Sequence, residues 1–395
     1  MVIINGKILT MEEENIECGY VRIQEGKIAE IGTMESYCKR VAGNIVLSSE
    51  KRRQPEKVLD VKGAWVMPGL IEAHAHIGIS EEKWGVIADD CNEGTNPVTP
   101  SLRAIDAINP MDPAFHEAIG AGITSVMAGP GSANVVGGQF IFLKTQGRCV
   151  DHMVVKHPAA MKIAFGENPK TAYGDRDIYP STRMGTAALL RKTLFEAVKY
   201  QTKKEQGELE ELDFEMECWI PVLKKEIPLK AHAHRADDIL TAIRIAKEYG
   251  LDMTIDHGTE SHLIAEEVKE SGFPVIVGPD LSSRSKLEIQ NMNFKTNKIL
   301  YDAEVLFAIT TDHPVTMIQY LPLCAGLAVK HGLPMEEGLK AITINAAKIC
   351  RVDNRVGSLK EGKDADIAIF SGNPMEIFTK TLYTIIDGKI VYEYK

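Results

Sequence analysis

Met67-Pro68-Gly69-Leu70-Ile71-Glu72-Ala73-His74-Ala75-His76 is the stretch from which the fold is read. The apolar run from Ala64 to Ile71 predicts a buried strand, and two histidines one residue apart close it. Side chains at i and i+2 of a strand share a face, so His74 and His76 can grip one cation together. Alone, His-x-His is a weak signal, because most such pairs are surface or satisfied core histidines. Three further segments supply company: Ala231-His232-Ala233-His234, Ile255-Asp256-His257-Gly258 and Thr310-Thr311-Asp312-His313. Each puts a candidate ligand just past a short apolar or β-branched run. Of the 11 histidines, His74, His76, His232, His234, His257 and His313 all occupy such strand ends. Histidines scattered through a core would not gather there.

Outward from these segments, the middle of the chain alternates strands and helices. Short β-type runs fall at Ile123–Met127, Met161–Phe165, Leu229–Ala231, Met253–Ile255, Pro274–Val277 and Leu306–Ile309. Helical patterns lie at Thr186–Tyr200, Ala236–Tyr249, Ser261–Ser271, Met317–Lys330 and Met335–Ile349. Asp237 and Asp238 at the start of one helix, and Gly250 past its end, are the expected caps. With strands at His74 and around Phe140–Val155 the count reaches eight. That pattern predicts a (β/α)₈ TIM-type barrel over residues 64–356 rather than an open doubly wound sheet. Neither G-x-G-x-x-G nor a P-loop occurs, which removes support for the open-sheet nucleotide folds. In a barrel the C-terminal strand ends converge on one mouth, where the candidate ligands fall.

Both ends of the chain read differently. Ile3–Leu9, Val21–Ile28, Ala365–Phe370 and Thr384–Tyr392 are β-formers, most of them with glycine turns between, predicting one small composite β-sandwich from residues 1–63 and 357–395. The polar stretch Ser48–Lys57 reads as an exposed loop within it. Hydrophobic content of 44% and charged content of 25% are those of a globular protein with a sizeable core. A net charge of −10, without a basic block, argues against a nucleic-acid partner. The 7 cysteines are odd in number, widely spread and lack a C-x-x-C, which argues for a reducing compartment and against a thiolate zinc site. No leader pattern and no membrane-length apolar run is evident. The expectation is a cytoplasmic protein acting on a small molecule, with no nucleic-acid or membrane partner and a homo-oligomer left open.

His-x-His at strand 1, Lys162 in strand 4, histidines at strands 5 and 6 and Asp312 at strand 8 resemble the amidohydrolase superfamily. Within it the chain most resembles the branch of imidazolonepropionase and the prolidase-like dipeptidases. The likeness spans nearly the whole chain, including the closing Val356-Gly357-Ser358-Leu359-Lys360-Glu361-Gly362-Lys363-Asp364-Ala365-Asp366. It implies His74 and His76 as ligands of one metal, His232 and His257 as ligands of a second, and Asp312 as ligand and proton shuttle. Lys162 would be carboxylated and bridge the two ions, whereas imidazolonepropionase-like members use one metal and no bridge. His234, sharing a face with His232, would touch substrate. Deaminases of the superfamily have a glutamate three residues after the strand 5 ligand; Arg235 stands there, which argues against ring deamination. Arg284 and Lys286, after strand 7, could reach an anionic substrate group, although solvated loop charges would read the same. Gly129–Asn134, Trp84 and Arg183 are weaker candidates for loops at the mouth.

Histidines and a carboxylate suit Zn²⁺ best, with Mn²⁺, Fe²⁺ or Co²⁺ compatible with the same ligands, one or two ions per chain. Coordination lowers the pKa of water from 15.7 toward ~7, giving a nucleophile at neutral pH. The expected function is hydrolysis of an amide-type C–N bond in a dipeptide or N-acyl amino acid, with Asp312 moving the proton. The alternatives are a mononuclear cyclic-amide hydrolase and a non-catalytic scaffold, which would be marked by missing ligands. None is missing.

Overall fold

The computed structural model describes residues 1–47, 56–82 and 86–395, without the side chains of 41–47 and 86. Trp84 and most of the Ser48–Lys57 stretch lie outside the described residues. Among the described residues, sixteen strands form two sheets. The first joins both termini: β1 (Val2–Ile8), β2 (Ile16–Gln24), β3 (Lys27–Thr33), β4 (Val58–Asp60) and β5 (Trp65–Pro68) with β14 (Ile367–Phe370), β15 (Thr381–Ile386) and β16 (Lys389–Glu393). Its order is β16-β15-β14-β5-β1-β2-β3, with β4 beside β1. Alternate apolar residues, among them Ile3, Val21, Val66, Ile367 and Ile385, gather in one buried cluster. This is the period-2 pattern of a sheet with one covered face.

The second sheet is the barrel, with strands in sequential order: β6 (Leu70–Ala75), β7 (Ile123–Ala128), β8 (Val136–Lys144), β9 (Val154–Ala164), β10 (Leu229–Ala233), β11 (Met253–His257), β12 (Val275–Val277) and β13 (Phe307–Ile309). Two features depart from the sequence reading. The run Ala64–Ile71 is not one strand: it divides at Gly69 into β5 of the terminal sheet and β6 of the barrel. A Cβ at Gly69 would lie 2.1 Å from the Thr124 hydroxyl, so only glycine lets the chain pass from sheet to sheet there. In addition, β8 runs antiparallel to both β7 and β9, and no α-helix separates these three strands, only a 3-10 turn at Val150–His152. From β9 onward the ladders are parallel and helices intervene.

Charge ties the two sheets together. Lys144, at the end of β8, donates to Asp364 (2.9 Å), to Asp366 and to Asp387 (3.3 Å), all from the terminal sheet region. Lys27 and Arg355 (2.8 Å) also donate to Asp364. Although burial pushes the Asp364 carboxyl up, hydrogen bonds from Lys27, Lys144 and Arg355 hold it at about 2.

Candidate metal centre

Inward-facing residues of the strands converge at the C-terminal end of the barrel. On β6 the alternation sends Glu72 and His74 inward, with His76 following in the same phase. Lys162 on β9 and Lys230 on β10 are paired in register, and His232 and His234 continue the inward face of β10. On β11 Thr254 and Asp256 face inward, so strict alternation would send His257 outward. It does not: His257 has φ 72, and its ring lies inside among those of His74, His232 and His234. Asp312 likewise has φ 52. A non-glycine residue held there costs on the order of 1–3 kcal/mol, a strain that clusters at functional sites.

Two groups of potential ligand atoms result, each within 4.8 Å: His74, His257 and Asp312, and His232, His234 and His257. The Oδ1 of Asp312 lies 3.4 Å from His74 Nε2 and 3.3 Å from His76 Nε2. Those are about the edges of a tetrahedron with 2.0–2.1 Å ligand bonds. Ring orientation is set from behind. His76 Nδ1 lies 2.7 Å from the Gly129 carbonyl and His257 Nδ1 2.9 Å from that of Gly278, so each carries its proton there and turns an Nε2 lone pair to the site. His74 Nδ1 lies 3.0 Å from Asp256 Oδ2, whose other oxygen accepts from Lys230 (3.2 Å) and Thr254 (2.8 Å). Two atoms test the fit to a cation: Asp312 Oδ1 and His232 Nδ1 are buried without a hydrogen-bond partner among the described residues. Buried polar atoms are rarely left unsatisfied, and divalent cations at the two ligand groups would satisfy them.

The electrostatics agree. Burial lowers the pKa of His74, His232, His234 (to about 3) and His257, keeping their lone pairs free. His76 departs from this: against the effect of burial, Cys91 and Asp312 raise it to about 10. The carboxylate that draws a proton there draws a cation equally. Asp312 is pushed up by burial but held well below the usual carboxyl range by His257, His74 and His76, so it is ionised and able to receive a proton. Lys162, fully buried, is lowered to about 8 chiefly by burial, and its Nζ lies 3.5 Å from His74 Nε2.

A cavity of about 470 Å³ opens over the cluster, lined by His76, His232, His234, Asp312, Asn168 and Lys286 among others. The sequence-predicted residues His74, His76, Lys162, His232, His234, His257 and Asp312 are thus brought together. His234 Nδ1 lies 2.7 Å from the Thr259 hydroxyl, which turns its Nε2 to the site as at His76 and His257, and His232 Nδ1 has no hydrogen-bond partner among the described residues. Lys286 reaches the cavity and donates to Asn168 Oδ1 (2.5 Å). Arg284 does not join it: its guanidinium donates to the carbonyls of Gln290 (3.0 Å) and Met292 (2.7 Å) and lines a separate surface hollow with His262. Arg235 pairs with Asp237, and Arg183 with Asp238.

Four buried charged residues at the site were not singled out from sequence: Glu72, Lys230, Asp256 and Glu288. Glu72 and Lys230 stand two residues before His74 and His232, a phase that could have flagged them. Asp256 adjoins His257 and would be assigned outward on alternation grounds. Glu288 reaches within 3.8 Å of both His232 Nε2 and His234 Nε2 from a single 3-10 turn, Leu287–Ile289, whose sequence carries no local signal.

The amidohydrolase family model matches residues 215–391. The crystal structure of an amidohydrolase from Thermotoga maritima MSB8 is 40% identical, covers 100% of both chains and superimposes with a TM-score of 0.92. The amidohydrolase tasK of Hapsidospora irregularis is 26% identical over 373 residues, 85% of this chain but only 37% of that protein's length. Imidazolonepropionase of Streptococcus pyogenes serotype M2 is 23% identical over 390 residues, covering 90% of this chain and 84% of that one. With a full-length relative at this identity, and with the barrel and its convergent histidines already described, the chain is a hydrolytic enzyme and belongs to the amidohydrolase family.

Proposed function

We propose that the protein hydrolyses an amide-type C–N bond in a small substrate bearing an anionic group, of the dipeptide or N-acyl amino acid class. The observation that carries this is the ionised Asp312 carboxylate set among His74, His76 and His257 at the floor of a cavity whose rim presents Lys286. His74, His76 and Asp312 would hold one divalent ion, and His232 and His257 a second. When bound, zinc or a similar ion supplies Lewis acidity, lowering the pKa of water and polarising the substrate carbonyl.

The chain's own residues supply the rest. Asp312 accepts the proton of the attacking water and returns it to the departing nitrogen. Lys286, held by Asn168, meets the substrate's carboxylate. Among the described residues Lys162 has no counter-ion within ion-pair reach, unlike Lys230, and it is the lysine available to become a carbamate between the two ligand groups. His234, fixed by Thr259, faces the substrate.

A second reading, a mononuclear cyclic-amide hydrolase, draws on the similarity to imidazolonepropionase over most of the chain. Dipeptides, N-acyl amino acids and cyclic amides assayed side by side on the zinc- or manganese-loaded protein separate the two. Turnover confined to cyclic amides, with one metal per chain, would replace the first reading by the second.

A further inference from the structure

Glu72, like Asp256, has no exposed surface. Its carboxylate spans the seam between the first and last strands of the barrel. Oε1 accepts from the backbone N–H of His74 (3.1 Å) and from the Thr310 hydroxyl (2.5 Å). Oε2 accepts from the backbone N–H of Thr311 (2.9 Å) and from the Thr311 hydroxyl (2.6 Å). The Thr310 oxygen, also 2.7 Å from the His74 carbonyl, in turn accepts from the backbone N–H of Asp312 (3.0 Å). No backbone ladder joins β13 to β6 among the described residues. Close by, the His76 N–H bonds the His313 carbonyl (2.8 Å), and Glu72 knits the rest of the seam with its side chain.

We propose that Glu72 is the positioning residue for Asp312. By gripping both threonines that precede it, Glu72 holds Asp312 in its left-handed conformation, with Oδ1 equidistant from His74 and His76 to 0.1 Å. The proposal rests on the reading of Asp312 as proton shuttle and ligand. It makes a specific demand on chemistry: both oxygens of residue 72 must be acceptors, because each faces a fixed backbone N–H. Glutamine satisfies only one of them in either amide orientation and sets an NH₂ group against the other. Aspartate, although shorter, keeps two acceptor oxygens.

The test is a double-mutant cycle on the full chain, reading kcat and the zinc dissociation constant by chelator competition. Glu72→Gln should lower kcat on the order of 10–100-fold, as a displaced catalytic group does, with KM nearly unchanged. Glu72→Asp should retain more activity than Glu72→Gln despite its poorer fit in volume. In the Asp312→Asn background, adding Glu72→Gln should change neither kcat nor zinc affinity beyond about twofold, the scatter of independent sites. Full multiplicative losses in that background would overturn the proposal, since Glu72 would then act through His74 or the fold. Should Glu72→Gln fail to fold, Thr311→Val removes one gripping hydroxyl and is judged by the same cycle. Near-normal kcat in Asp312→Asn alone would instead overturn the proton-shuttle reading, and the zinc cycle would still decide the brace.

Discussion

Lys162 and Lys230 stand opposite each other across the β9–β10 ladder, both reaching the Phe140 ring, and of the two Lys230 alone has a carboxylate within ion-pair reach. Asp256 pairs with Lys230, whereas Lys162, fully buried beside His74 and Phe140, has no ion-pair partner among the described residues, and burial disfavours its ammonium form. Burial lowers the Lys162 amine to about 8, which populates near neutral pH the unprotonated form that adds CO₂ and loses a proton to give a carbamate. Lys162→Ala is expected to lose about one metal per chain, as a two-metal site would without its bridge. Added short carboxylic acids should restore part of the activity. Metal analysis decides it: unchanged stoichiometry in the variant, with an unmodified Lys162 in the parent, would refute the bridge.

His74→Ala combined with His76→Ala should abolish most metal binding while the helices and terminal sheet stay folded. Asp312→Asn should lower kcat by ~10²–10⁴ or more, because an amide cannot carry the proton. Elemental analysis and steady-state kinetics check both. Retained metal in the double variant would remove the site assignment.

Lys230 and Asp256 are buried together, with 2% and 0% side-chain exposure. Lys230→Met leaves the Asp256 charge in the barrel interior with His74 and Thr254 as its close polar contacts and Lys162 acting on it without an ion-pair contact. Removing one partner of a buried pair typically costs about 3–5 kcal/mol. Urea unfolding should read a loss of that order, and weakened zinc affinity should accompany it because Asp256 orients His74. A loss under about 1 kcal/mol would mean that the pair is solvated or dispensable.

The Asp364 cluster predicts a pH dependence with a definite sign. Its folded pKa, about 2, lies below the ordinary carboxyl value, so its contribution is whole above about pH 4 and fades as pH falls toward 2. The linkage amounts to about 2 kcal/mol. Asp366 opposes it, its pKa being raised by burial despite Lys144. Comparison with Asp364→Asn isolates the effect: the variant's stability deficit at pH 7 should shrink between pH 4 and pH 2. A deficit that does not vary with pH would exclude it.

Lys286→Ala should raise KM for carboxylate-bearing substrates about tenfold, the loss of one charge-assisted contact, with little change in kcat. Arg284→Ala should leave KM unchanged and lower stability, since its donors hold the carbonyls of Gln290 and Met292. The opposite ranking of the two KM effects would reverse their roles.

Much of the centre was legible in the chain because it obeys local periodicity. His74 with His76, and His232 with His234, announce themselves at i and i+2 on strands whose apolar runs are plain. The alternation of strand and helix after residue 160 carries the barrel in the same way. The hairpin character of β8 was not legible, since an apolar run says nothing of the direction in which a strand joins its neighbours. Nor was the break at Gly69, which arises from the approach of Thr124, 55 positions away in sequence.

What the sequence by itself determined was the candidate donor set: which histidines, lysine and aspartate sit at or near strand ends. What only the tertiary structure decided was how they are held. His257 faces the site through a left-handed turn rather than strand alternation. Asp256 is committed to Lys230 and His74, which distinguishes the two barrel lysines. Glu72 reaches across 239 positions of sequence to the residues before Asp312. These are relations between distant segments, set by barrel closure and by the need to satisfy every buried charge. Local spacing carries no information about either.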